Sequence, residues 1–273
     1  MFFKKILREV LPHGIVKRIQ RHHGFRSESH NEKYGWSGDY LNWESARNAS
    51  TGYSRPEIVR KTLASARLVR DGKAAFERDS FVFEAPDYNW PLLSALMHVA
   101  AVKHGRLRVV DIGGALGSTY FQNKPFLRWL DGVEWRVVEQ KGYVEIGRRE
   151  FENSQLSFYD SLEESLTKEP DAILLSSVLQ YLEKPYEYLG QVVSHGAPYL
   201  IIDRTGFTLD DKDRLTVQNV PPWIYPASYP CWFMSRSKLL DILNPQYEVL
   251  VEFDALDKAN IAAKYGGFLL RKR

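Results

Sequence analysis

Residues 107–140, LRVVDIGGALGSTYFQNKPFLRWLDGVEWRVVEQ, decide how the chain is read. Leu107, Val109, Val110 and Ile112 form a short apolar run without polar alternation, the pattern of a strand covered on both faces. Gly113, Gly114 and Gly117 follow at once, and glycine lets a ligand lie against bare backbone. Trp135, Val137 and Val138 make a second buried strand, which stops at Glu139. A carboxylate at that strand end is placed to accept hydrogen bonds from a ribose diol. Strand, glycine turn, helix and strand together predict an α/β unit with a parallel sheet.

Asp111-Ile112-Gly113-Gly114-Ala115-Leu116-Gly117, with Glu139 downstream, resembles the first two motifs of class I S-adenosylmethionine-dependent methyltransferases. The usual loop there is acidic-x-Gly-x-Gly-x-Gly, and Ala115 stands at the middle glycine. The nicotinamide fingerprint G-x-G-x-x-G does not fit, because 113–118 reads GGALGS. The resemblance implies a Rossmann-like methyltransferase fold: a mostly parallel seven-stranded sheet with an antiparallel edge strand. It implies S-adenosylmethionine as cofactor, held by Asp111, Gly113, Gly114, Ala115 and Gly117, with Glu139 and Gln140 after the second strand. Asp160, with Ser161, matches the polar position after the third strand that reaches the adenine amino group. An N-cap for the next helix is the structural alternative there. Ser176, Ser177 and Gln180 fall in the fourth motif, between cofactor and acceptor. Gln180 replaces a histidine common among relatives, so the usual titratable group is missing.

Around this centre, composition sets bounds. The 273 residues allow one decorated α/β domain or two small ones. Net charge is +3, which argues against a nucleic-acid partner. Residues 1–30 hold seven Lys/Arg and two Asp/Glu, so their net +5 leaves −2 for the rest. Cys231 stands alone, which excludes an intrachain disulfide and a cysteine metal site and suits a reducing cytoplasm. No metal-ligand cluster is visible. The start, MFFKKILREVLPHGIVKRI, has charges where a signal peptide needs an apolar core. Phe3, Ile6, Leu7, Val10 and Leu11 in residues 1–19 predict a basic helix, touching a membrane surface weakly or packing on the domain or a twin subunit in a homodimer.

The chain divides into a basic helix and linker (1–33), a helical and aromatic extension (34–105) and the cofactor-binding domain (106–273). In the extension, Asn42 caps a short helix from Trp43, and helical patterns cover 56–78 and about 90–105. His98 reads as a core residue and His195 as a helix-terminal one. Gly38-Asp39-Tyr40 with Trp43, Gly52-Tyr53, the 111–117 loop, Val138-Glu139-Gln140 and Leu179-Gln180-Tyr181-Leu182 resemble an uncharacterised bacterial methyltransferase family met among cell-surface polysaccharide genes.

Tyr199–Ile202 predicts a fifth strand ending at Asp203-Arg204. There Asp203 could take a proton from an acceptor hydroxyl and Arg204 could hold an anion; an internal ion pair is the alternative. Residues 206–236 read as a long aromatic insertion, a lid or wall in which Trp223, Tyr225, Tyr229 and Trp232, with Tyr181 nearby, face a sugar or other acceptor. A helix from Ser237 and strands Tyr247–Phe253 and Gly267–Arg271 complete the sheet. The expected activity is methyl transfer to a small-molecule or glycan acceptor, such as a sugar hydroxyl of a surface glycan or its lipid-linked intermediate. A non-catalytic partner protein of the same fold and a NAD-dependent oxidoreductase are the alternatives.

Overall fold

The computed structural model describes residues 34–273 apart from 53–55, 79 and 223. The expectations for residues 1–33, Tyr53 and Trp223 lie outside the described residues.

A seven-stranded sheet organises the fold. Its parallel part is β4 (Arg106–Ile112), β5 (Gly132–Val138), β6 (Leu156–Tyr159), β7 (Ala172–Ser176) and β8 (Tyr199–Thr208). The spatial order is β6-β5-β4-β7-β8, followed by β12 (Ala263–Lys272) and β11 (Tyr247–Asp254). At that end β12 inserts antiparallel between β8 and β11. The chain therefore reverses direction between β4 and β7, and the carboxyl ends of these two strands flank a topological switch point. This is the Rossmann-like class I methyltransferase arrangement implied by the glycine-loop resemblance.

Both faces of the sheet are covered, which explains the unbroken apolar runs. Leu107, Val109, Trp135, Val137, Leu174 and Ile201 point to one face, under α3 (Trp90–Val102), α4 (Ser118–Leu127) and α5 (Lys141–Glu150). Their neighbours Val110, Ile112, Val138, Ile173, Leu200 and Ile202 point to the other. That face is covered by α6 (Leu162–Ser165), α7 (Pro185–Ser194) and α8 (Arg236–Leu243). Helix α8 begins one residue before the predicted Ser237, because Ser235 caps it by accepting the Lys238 N–H at 3.2 Å.

Three expectations change. The helix predicted over 56–78 stops at Arg70, as α2 (Pro56–Arg70). Gly72 then takes φ +70, and the chain turns into a hairpin of β2 (Phe76–Arg78) and β3 (Phe81–Phe83). The fifth strand does not end at Ile202 but runs ten residues to Thr208, because β12 pairs along it to Ala263. The insertion is a sheet, not an irregular lid. Strands β9 (Arg214–Asn219) and β10 (Ser228–Phe233) pair antiparallel, and β1 (Gly35–Ser37) adds to the free side of β9. The helix expected after Asn42 is present as α1 (Trp43–Asn48), with Asn42 Oδ1 accepting the Ser45 N–H at 2.9 Å. A 3₁₀ turn, Leu179–Tyr181, packs on β10, which sets the small sheet beside the carboxyl end of β7 and against β8.

Candidate functional site

Backbone strain gathers at this end of the sheet. Ala115, Ser177 and Arg204 all take positive φ, at 49°, 57° and 51°, and they follow or end β4, β7 and the parallel stretch of β8. Each such non-glycine residue costs about 1–2 kcal/mol, and strain of this kind concentrates where a site over-determines the backbone. At Ala115 the residue departs from the usual motif while the backbone keeps the left-handed shape that a glycine would take. The flanking Gly113 and Gly117 are left-handed too, at φ +71 and +87.

The glycine loop is closely confined. A Cβ on Gly113 would lie 2.8 Å from Val178 Cγ2, and one on Gly114 would lie 2.6 Å from Asp111 Oδ2. The loop therefore abuts the 176–180 segment directly. Asp111, 1% exposed, lies beneath it and accepts the Trp135 indole N–H at 3.0 Å. Burial pushes its carboxyl up to about 7, and the nearby Glu139 adds to the shift. Glu139 follows β5, where its Oε2 accepts the Gln140 N–H at 2.7 Å. Burial raises its pKa against the pull of the Gln140 and Ala115 backbone N–H groups. The carboxylate thus leans toward the glycine loop, while Gln140 itself is exposed. Asp160 is exposed at the end of β6, and Ser161 caps α6 by accepting the Glu164 N–H at 3.1 Å. The capping role is the one the structure displays for Ser161.

On the other side of the switch point, Ser176 stands opposite Asp203 across the β7–β8 pairing. Asp203 is completely buried. Its Oδ2 accepts the Ser176 hydroxyl at 2.7 Å and the Asn89 amide at 2.9 Å. Burial raises its pKa, opposed by the Ser176 hydroxyl, the Arg204 charge and the Asn89 amide. Its Oδ1 is buried and finds no partner among the described residues. Gln180 is likewise fully buried, with Nε2 donating to the Arg204 carbonyl at 2.9 Å and to Ser177 Oγ at 3.2 Å, while its Oε1 has no partner. Arg204 grips Asp257 with a two-pronged ion pair at 2.8 and 2.9 Å. Burial raises the Asp257 pKa, but pairing with Arg204 outweighs it and holds the carboxyl below its usual range. The Arg204 guanidinium, considered from sequence as an anion clamp, is thus engaged by an internal carboxylate.

The aromatic wall is mostly packing. Tyr225 and Tyr229 are buried, share a hydroxyl contact at 3.3 Å, and cluster with Ile58, Val220 and Ala227. Tyr181 meets Tyr229 edge-on at 5.4 Å and donates to Gln218 Oε1 at 2.9 Å. Trp232 stacks on Trp43 at 6.5 Å, and its buried indole N–H has no partner among the described residues.

Two residues of the site carried no assignment in the sequence reading. Asn89 caps α3, accepting the Leu92 N–H at 3.2 Å, and with its amide reaches Asp203, 114 residues away. Its position just before Trp90-Pro91 was a readable cap signal, but the second contact was not. Glu77, 4% exposed, accepts the hydroxyl of Ser118, the first residue of α4, and the Ser80 N–H at 3.1 Å. Ser80 is left-handed, at φ +67, and is held by Thr62 (2.8 Å) and Ser65 (2.7 Å) of α2. A buried carboxylate thereby stands at the first turn of the glycine-loop helix, where the N-cap Gly117 offers no side chain. No group of three or more metal-ligating side chains occurs among the described residues.

No protein-family model matches the chain, and no curated protein matches it. Solved structures do. The S-adenosylmethionine-bound amino pentose methyltransferase CalS10 from Micromonospora echinaspora is 11% identical, covering 68% of this chain and 92% of its own, with TM-score 0.49. The N-terminal domain of EvdMO1, solved with S-adenosylhomocysteine and D-fucose, is 15% identical over 81% of this chain and 98% of its own, at 0.43. The glycopeptide N-methyltransferase MtfA with S-adenosylhomocysteine is 10% identical over 66% and 89%, at 0.47. Identities this low carry no residue roles across.

Proposed function

We propose that the protein is an S-adenosylmethionine-dependent methyltransferase acting on a hydroxyl of a sugar, in a bacterial surface glycan or its lipid-linked intermediate. The observation that carries the cofactor assignment is Glu77. In dinucleotide-binding α/β folds the helix after the glycine loop receives the pyrophosphate at its positive end. Here a buried carboxylate stands beside that first turn. An acidic side chain there disfavours the charges of a pyrophosphate more than those of S-adenosylmethionine, whose sulfonium and ammonium outnumber its one carboxylate. This favours S-adenosylmethionine over NAD. Glu139, leaning on the loop at Ala115, is suited to a ribose diol. The Gly113 and Gly114 backbones, which have no room for side chains, would lie against the ligand.

When bound, S-adenosylmethionine supplies a methyl group already made electrophilic by its sulfonium. The protein's task is then mainly to align the acceptor and exclude water. Ser176 and Asn89 fix one oxygen of Asp203, leaving Oδ1 as the atom that would take the acceptor's proton. Arg204, locked to Asp257, would position this strand end instead of binding substrate. The small sheet, with Tyr181 and Trp232, would form the outer wall of the acceptor pocket. Calorimetric titration with S-adenosylhomocysteine and with NADH tests the assignment. Binding of the first alone is expected; binding of NADH alone, or of neither, overturns it.

A further inference from the structure

Among the described residues Asp203 Oδ1 and Gln180 Oε1 are buried acceptor oxygens without partners; Asp203 lies within β8, and Gln180, in the turn after β7, reaches the carbonyl of the adjacent Arg204. Leaving such a group unsatisfied is costly, so it implies a ligand or water that donates to it. The surroundings are already spent. Ser176 and Asn89 give their protons to Asp203 Oδ2, and the Gln180 amide gives its own to the Arg204 carbonyl and Ser177. The Arg204 guanidinium is held by Asp257. The segment that carries Gln180 touches the glycine loop through Val178 and Gly113, so this segment borders the proposed cofactor seat. Resting on the methyltransferase reading above, we infer that Asp203 and Gln180 form a donor-accepting wall beside the transferred methyl group, which takes acceptors bearing an amine or hydroxyl and turns away carboxylates.

A carboxylate acceptor would bring no proton to either oxygen, and its charge would add to that of Asp203. A hydroxyl can donate its one proton to one of these oxygens, and an amine has protons enough for both.

Two defined ligands test the wall by calorimetry: S-adenosylhomocysteine, and sinefungin, the analogue that carries an amine where the methyl group sits. In the native protein sinefungin should bind at least ~10-fold more tightly, a preference worth ~1.4 kcal/mol. Asp203→Asn keeps an oxygen for Ser176 and Asn89 but turns a donor toward the site, so the preference should vanish or reverse. Gln180→Met removes the second oxygen at similar volume and should reduce it in part, which keeps the inference testable if Asp203→Asn fails to fold. Equal affinities in the native protein, or a preference untouched in both variants, overturns the inference while leaving the cofactor assignment intact. Failure of the native protein to bind S-adenosylhomocysteine instead removes the reading on which it rests.

Discussion

Asp111→Asn should flatten the pH dependence of stability and make the protein more stable in mild alkali. Asp111 is buried under the glycine loop, and its carboxyl is pushed up to about 7 from an ordinary value of 3.8. Between those values the folded state holds a proton that the unfolded state has released. Stability from this group is therefore fully present below the ordinary value and is lost as pH rises through 7. With each pKa unit worth about 1.4 kcal/mol, the loss between pH ~5 and pH ~8 integrates to about 2.5 kcal/mol. Asparagine keeps the shape and an oxygen for the Trp135 N–H, but it does not titrate. The other titrating groups are common to both proteins, so apart from the coupling to Glu139 they cancel in the difference. Denaturant unfolding of both proteins at the two pH values measures it, and melting temperatures should diverge by roughly 5–10 °C. Parallel profiles would show that Asp111 is ionised throughout and that burial does not control its proton.

Three further outcomes are expected. Glu139→Ala should weaken S-adenosylhomocysteine binding by about 1–3 kcal/mol, because the ribose diol loses a charged acceptor; unchanged affinity in a calorimetric titration counts against the cofactor seat. Glu77→Gln should lower unfolding free energy by about 1–2 kcal/mol, through loss of charge-assisted bonds to Ser118 and Ser80 and of the favourable helix-end charge; a gain in stability would mean the carboxylate is not wanted there. Ala115→Gly should relieve about 1–2 kcal/mol of left-handed strain and return about 0.5–1 kcal/mol as backbone entropy, a small net stabilisation; a clear loss in chemical denaturation would show that the alanine methyl packs usefully.

The parallel sheet was legible because burial on both faces writes itself as unbroken apolar runs, as in Ala172–Leu175 and Tyr199–Ile202. The small sheet was not. Its strand Ser228–Phe233 contains Pro230, a residue that argues for a loop. In the structure β10 is an edge strand, where a missing N–H is tolerated, and the strand pairs through residues that local pattern alone does not join. Strand β1 is only three residues long and pairs with β9 across some 180 positions of sequence, beyond any periodicity signal. The site divides in the same way. Gly113, Gly117 and Glu139 announced themselves through a local motif. Glu77 and Asn89 reach the site by side-chain contacts to Ser118 and Asp203, partners that spacing cannot reveal.

Those two contacts change what the extension before the glycine loop is for. Asn89 and Glu77 both come from residues 34–105, and each completes a group belonging to the parallel sheet or its first crossover helix. Asn89 holds Asp203 in one orientation, and Glu77 sets the charge beside α4. Glu139 and the bare oxygens of Asp203 and Gln180 place acceptors at this edge of the sheet, while the guanidinium of Arg204 is balanced by Asp257 and Arg78 adds a positive charge near Asp257. On the proposed reading, such an edge would suit ligands that bring hydrogen-bond donors. The glycine spacing at 113–118 already departs from the nicotinamide fingerprint. On the same reading, charge supplied from outside the loop would help discriminate between S-adenosylmethionine and NAD, and the extension would then contribute to the cofactor site.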